Sequence, residues 1–246
     1  MWQIEHQQAV WKSRRLSALI DLTRPVLGLH RMRFEHDEWI DTHIHQVSFP
    51  CAHADAWDFI DDAYVRESDL IVTYRESAVA ALRTQLQWRV EELPDAVVLL
   101  ELTASVQTPC RDCDPRIRIA TSWPHTAWQL LSDEVNCEWD LAPPSSIDHV
   151  ALCVPAPGMV LLNSAGKHSP CIAQAIPASD LVDAYLERNH AISGSTLAQV
   201  YFANRLEKGV LRRVRLQAYV SPNSCDINAV QSTALQSLYH APPLVA

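Results

Sequence analysis

The chain has 246 residues, 48% of them hydrophobic and 20% charged, and a formal net charge of −9. It is long enough to bury a sizeable core, and its acidic balance argues against nucleic acid or an anionic membrane as partner, since both need a net basic face. No apolar run approaches the roughly 20 residues that span a bilayer, and the start at Met1-Trp2-Gln3 lacks the basic and apolar regions of a signal peptide, so a cytoplasmic protein is expected.

Glycine is scarce, at five residues, against fifteen prolines, and neither GxGxxG nor GxxxxGK[ST] occurs. Glycine-rich phosphate loops are therefore excluded. The seven cysteines are odd in number and scattered through apolar segments, which suits reduced core thiols better than a disulfide framework.

In chain order, residues 17–22 and 26–34 read as strands, followed by a segment over 39–49 and a short β-rich run over 69–74. Residues 97–108 alternate most clearly: Val98, Leu100, Leu102, Ala104 and Val106 are apolar, while Glu101, Thr103, Ser105 and Gln107 fall on the other face. Only Pro155-Ala156-Pro157-Gly158 separates the apolar runs 150–154 and 159–162. A link that short cannot hold a crossover helix, so the two runs are expected to pair antiparallel and to form a meander with 171–176. Residues 179–187 read as a short helix. The run 210–220 alternates again, with Val214, Leu216 and Ala218 against Arg213, Arg215, Gln217 and Tyr219. At the end, Ile227, Val230, Ala234 and Leu238 follow a helical spacing behind Asp226, giving a C-terminal helix at about 226–239.

Residues 77–93 fit two patterns. Val79, Leu82, Leu86, Val90 and Leu93 mark a helical face, yet Leu82, Thr84, Leu86, Trp88 and Val90 also alternate with Arg83, Gln85, Gln87 and Arg89 as in a strand. A helix would create a βαβ unit and favour an α/β barrel; a strand favours an antiparallel sandwich. With no internal repeat or low-complexity tract, the expectation is one domain over 1–246: mainly β, an antiparallel β-sandwich with a short C-terminal helix.

A resemblance supports the strand reading. The layout of residues 63–74, 85–89 (Gln85-Leu86-Gln87-Trp88-Arg89), 99–108 (beginning Leu99-Leu100-Glu101-Leu102-Thr103) and 206–215 resembles a set of uncharacterised bacterial β-rich proteins. These are weakly similar to the galactose-mutarotase-like supersandwich. The resemblance implies a supersandwich-like fold over roughly residues 15–220 and transfers no activity. The histidine pair and glutamate of aldose epimerases have no clear counterpart here.

The polar faces of three strands carry the main functional expectation. Arg83, Gln85, Gln87 and Arg89, then Glu101 and Gln107, then Arg213, Arg215 and Tyr219 would form one patch if their strands share a sheet. Planar guanidinium and amide groups beside an aromatic ring such as Trp88 suit sugar hydroxyls or a carboxylate, through bidentate hydrogen bonds and stacking. The contact residues are thus Arg83, Gln85, Trp88, Arg89, Glu101, Arg213 and Arg215. They describe a non-catalytic or weakly catalytic binder of a carbohydrate or small organic acid, without a cofactor. The plainer alternative is a solvated sheet face with cross-strand pairs, and a third is the subunit interface of a homo-oligomer or assembly protein.

A different chemistry is suggested by Asp41-Thr42-His43-Ile44-His45, which resembles the N-terminal metal motif of amidohydrolases. That resemblance implies His43 and His45 as ligands of a divalent metal that activates water, with Asp41 beside them on one strand face. The family also needs a bridging lysine or glutamate, two more histidines and a late aspartate, whereas lysine occurs here only at positions 12, 167 and 208. Cys110, Cys113, His125 and Cys137 form a second set of metal-type residues, but their spacing matches no familiar finger. GxSxG and HExxH are absent, so no nucleophile is assigned.

Overall fold

The structure, a computed structural model, describes residues 1–49, 59–76, 81–124, 127–132, 136–137, 149–152, 158–163, 171–189 and 194–222. The first strands are β1 (Trp2–Glu5), β2 (Gln8–Lys12), β3 (Leu16–Asp21), β4 (His30–Phe34), β5 (Asp37–Trp39) and β6 (His43–Ser48). Next come β7 (Ile60–Arg66), β8 (Asp69–Tyr74), β9 (Arg83–Glu92), β10 (Val98–Gln107), β11 (Ile117–Trp123), β12 (Ala127–Ser132) and β13 (Asn136–Cys137). The last are β14 (His149–Ala151), β15 (Gly158–Asn163), β16 (Cys171–Ile176), β17 (Leu181–Asn189), β18 (Gly194–Tyr201) and β19 (Leu211–Ser221).

They form three antiparallel sheets: a five-stranded meander β1 to β5, a nine-stranded sheet β13-β12-β15-β16-β19-β10-β9-β8-β7, and a five-stranded sheet β14-β17-β18-β11-β6. The fold is mainly β, as the alternation predicts, and residues 83–92 are a strand. Between Glu5 and Gln8, Phe34 and Asp37, and Arg66 and Asp69 the hairpins close with two residues. His6, Glu35 and Glu67 there adopt φ of 57°, 54° and 55°. Two-residue hairpins need this left-handed backbone to match strand twist, and in this glycine-poor chain larger residues supply it.

Alternate residues of the central strands face the core by the period-2 rule, and β8, β16 and most of β18 are buried on both faces. Leu86, Trp88 and Val90 of β9, Leu100, Leu102 and Ala104 of β10, and Val214, Leu216 and Ala218 of β19 are all buried. They join one apolar cluster that also includes Leu16, Ile20 and Phe34 of the N-terminal sheet and Ile119, Trp123 and Leu197 of the other five-stranded sheet. Trp39 meets Trp123 edge to face at 5.2 Å, and the Tyr74 hydroxyl donates to the Leu22 carbonyl at 2.8 Å, so the N-terminal meander is tied to both other sheets.

Three expectations are corrected. Residues 150–154 and 159–162 do not pair with each other: β14 joins β17, whereas β15 lies between β12 and β16. Nearness along the chain does not fix pairing where each run finds its ladder partners elsewhere. Residues 179–187 are not helical, because β17 has partners on both sides, β14 and β18, and its alternate residues Ala184 and Leu186 are buried. The strand expected from residue 26 begins only at His30, since Pro25 opens a 3-10 turn and Gly28 follows it at φ 58°. The helix expected at 226–239 lies outside the described residues.

Candidate functional site

The register of the nine-stranded sheet sets polar side chains in cross-strand rows. Thr73, Gln85, Ser105 and Arg213 are successive partners across β8, β9, β10 and β19, as are Ile71, Gln87, Thr103 and Arg215. A third row runs Asp69, Arg89, Glu101 and Gln217. Because side chains directly opposite share a face, Gln85, Arg89, Glu101, Arg213 and Arg215 converge on one surface, with Arg83 opposite Gln107 at its margin.

Trp88 does not belong to that surface. It sits opposite Leu70 and Leu102 on the other face and is fully buried. One step along a strand reverses the side chain's direction, so the indole packs the core and leaves the stacking role expected of it unfilled.

Hydrogen bonds organise the rows. The buried carboxylate of Asp69 accepts from Arg89 Nε at 2.6 Å, Arg89 Nη2 at 2.9 Å and Gln87 Nε2 at 2.7 Å. The bond to Asp69 is the main reason the Arg89 guanidinium is held more firmly charged than usual. Gln85 Nε2 donates to Thr73 Oγ1 at 3.2 Å and Arg213 Nε to Ser105 Oγ at 3.1 Å. Gln217 donates to Glu101 at 2.8 Å and accepts from the buried Tyr219 hydroxyl at 3.0 Å, while Arg215 Nε lies 4.0 Å from the same Glu101 carboxylate. The side chains of Arg215 and Glu101 are only 16% and 13% exposed. Donors and acceptors desolvated in this way are held in a fixed pattern. Arg83, by contrast, pairs with Asp61 in the open, where such a contact contributes little. Asp69 was not among the expected site residues; its signal was the alternation of Asp69, Ile71 and Thr73 with the apolar Leu70 and Val72.

The histidine motif is arranged differently. Ala120 faces Gln46 and Ser122 faces His43, so Ile44 and His45 together oppose Thr121, and His45 takes φ 56°. This β-bulge corrects the expected single ligand face. Asp41 is exposed in a turn, His43 is partly buried, and His45 enters the core, where neither ring nitrogen has a partner. Burial drives the His45 imidazole down to about 3. Gly28 packs against the bulge so closely that a Cβ there would lie 2.3 Å from the Ile44 carbonyl oxygen. His30 and His43 come together instead, ring centres 5.9 Å apart.

Among the described residues no group of three His, Cys, Asp or Glu side chains is placed to hold a metal. Cys113 points towards the Ala81 carbonyl and Cys110 is exposed, whereas β13, which carries Cys137, is the far edge of its sheet; His125 lies outside the described residues. No described helix is long and apolar enough to cross a membrane.

No family model and no curated protein matches the chain. Among solved structures it is similar to a "putative mutarotase (YeaD)" from Salmonella typhimurium, with TM-score 0.46 and 8% identity over 87% of this chain and 90% of that one. It is similar also to a "putative aldose 1-epimerase" from Klebsiella pneumoniae, with TM-score 0.49 and 9% identity over 94% and 82% of the two chains. Similarity to 4-alpha-glucanotransferase from Thermococcus litoralis, with TM-score 0.34 and 7% identity, covers 87% of this chain and 37% of that enzyme. Identities this low equate no side chains and carry no role over to this chain.

Proposed function

We propose that the chain is a non-catalytic or weakly catalytic β-sandwich that binds a carbohydrate or small organic acid on the polar face of its nine-stranded sheet. Arg83, Gln85, Arg89, Glu101, Arg213 and Arg215 contact the ligand, with Trp88 left to the core. The observation that carries this reading is the alignment of arginine, amide and carboxylate groups in three adjacent rows. Guanidinium and amide groups offer paired donors to vicinal hydroxyls or a carboxylate, and Glu101 supplies the acceptor a sugar hydroxyl needs. The Asp69 bonds to Arg89 and Gln87 hold those groups in place before ligand arrives, which reduces the entropy lost on binding.

A thermal-shift screen against monosaccharides and small carboxylic acids tests it. A ligand at about 100 times its Kd stabilises the fold by about 2.7 kcal/mol, a rise of roughly 5–10 °C for a chain of this size. Arg213→Ala should remove that rise. A flat response across both panels would overturn the reading.

A further inference from the structure

We infer that the N-terminal meander carries a ligand site of its own, a pocket in which Arg31 and Arg33 hold the carboxylate or phosphate group of a small organic anion. A partly open cavity of about 420 Å³ lies there, bordered by Ser17 of β3, Arg31 and Arg33 of β4, Glu38 of β5 and Ile40 just beyond it. Sites for small molecules commonly measure roughly 300–1,000 Å³.

The register of the meander builds the pocket. Ser17 pairs with Arg33 and Arg33 with Glu38, so the three side chains share one face of the sheet. Between Ser17 and Leu19 the register slips: Ala18 alone on β3 faces both Arg31 and Met32 on β4, and Arg31 takes φ 47°. A bulge re-aims a side chain, and here Arg31 and Arg33 are both exposed at the rim of one cavity while Met32 between them is buried. Positive φ is uncommon outside glycine, and residues held there cluster at ligand sites.

The two guanidinium groups are also uncommitted. Arg83, Arg89 and Arg118 are each spent on an acid, Asp61, Asp69 and Glu187. Among the described residues the side chains of Arg31 and Arg33 make no hydrogen bond or ion pair, although Glu38 stands directly across the ladder from Arg33. A guanidinium presents its N–H groups in a planar fork that matches two oxygens of a carboxylate or phosphate, and two forks on one cavity give an anion contacts that neither gives alone. Ser17 adds a hydroxyl donor, and Ile40, 76% exposed, offers an apolar contact to the carbon part of the ligand. Glu38 repels the anion, so its removal strengthens binding. The affinity for a bare oxyanion is low, roughly millimolar, because salt screens exposed charges. The pocket lies on a different sheet from the polar face and does not depend on a ligand there.

The test is an amide NMR titration of the full chain with sodium sulfate at constant ionic strength, since sulfate has no proton at neutral pH to donate to Glu38. The amides of Ser17, Arg31, Arg33 and Glu38 should shift along one saturating curve. The Kd read from them should rise roughly fivefold or more in Arg31→Gln and in Arg33→Gln, and fall in Glu38→Gln. It should not change in Arg66→Gln, which removes an exposed arginine from another sheet. If Arg31→Gln does not fold, Arg31→Asn, which tolerates the left-handed backbone, takes its place. Phenyl phosphate and benzoate then separate the two head groups: the one that binds more tightly than sulfate identifies the anion. No shift at these amides, undiminished binding in Arg33→Gln, a loss in Arg66→Gln equal to that in Arg33→Gln, or neither organic anion binding more tightly than sulfate overturns the site.

Discussion

The polar face of the nine-stranded sheet and the bulge in β6 treat polar side chains in opposite ways. On the sheet face, burial alternates from Arg83 to Val90 and from Leu100 to Ala104, and the buried carboxylate of Asp69 accepts three hydrogen bonds. At the bulge one extra residue turns His45 inward, into a core that offers neither ring nitrogen a partner. A regular ladder lets neighbouring strands satisfy one another's polar groups; a bulge places a side chain where no ladder partner exists. Polar groups on the sheet face are therefore held in fixed positions by one another, and at the bulge a titratable group is held neutral.

The largest expected effect separates the two regions by pH. His45 has its folded-state value depressed from 6.5 to about 3, so below pH 6.5 the unfolded chain takes up a proton that the folded chain refuses. Stability from this residue is intact above pH 6.5 and is lost as pH falls towards 3, to a total of at most about 5 kcal/mol. Urea melts in the presence of EDTA should show this loss. His45→Asn, which tolerates the left-handed backbone, should flatten the slope below pH 6.5 relative to wild type, and equal slopes would show that His45 does not titrate in the core.

Trp88→Ala comes next. Removing a fully buried indole should cost about 3–5 kcal/mol in a denaturant melt while leaving any sheet-face ligand bound by the folded fraction. A small loss of stability together with loss of ligand would return Trp88 to the polar face. Smallest is Asp69→Asn, which keeps the shape and removes the charge opposite Arg89. With the Arg89 side chain 38% exposed, water compensates in part, and a loss of about 1 kcal/mol is expected. No change in stability or in ligand affinity would mean that the row does not act as a unit.

Much of the sheet face could be read from the chain alone, because residues on β9, β10 and β19 alternate and alternate side chains of a strand share a face. The same pattern already placed Trp88 on the apolar side, opposite Arg83, Gln85 and Arg89; its selection as a contact residue weighed its chemistry over its parity. Other elements were hidden by their turns. β1, β2, β5 and β7 are bounded by two-residue hairpins at His6, Glu35 and Glu67, none of which carries the Asn-Gly or Asp-Gly signal. β17 was hidden by its length and by a spacing that also fits two turns of helix.

What the sequence determined by itself is the set of β segments whose side chains alternate, the β class that follows, and which residues share a face, since these depend only on the two-residue period of an extended chain. Only the tertiary structure decided which segments are neighbours. The separation of β14 from β15 into different sheets is one such case, and the convergence of Asp69, Arg89 and Glu101 in one row is another. A third is the departure of His45 from the face of His43. Gly28 presses against the backbone at Ile44 and Thr121 faces two residues where a regular ladder would offer one, and no period within β6 encodes that contact between distant parts of the chain.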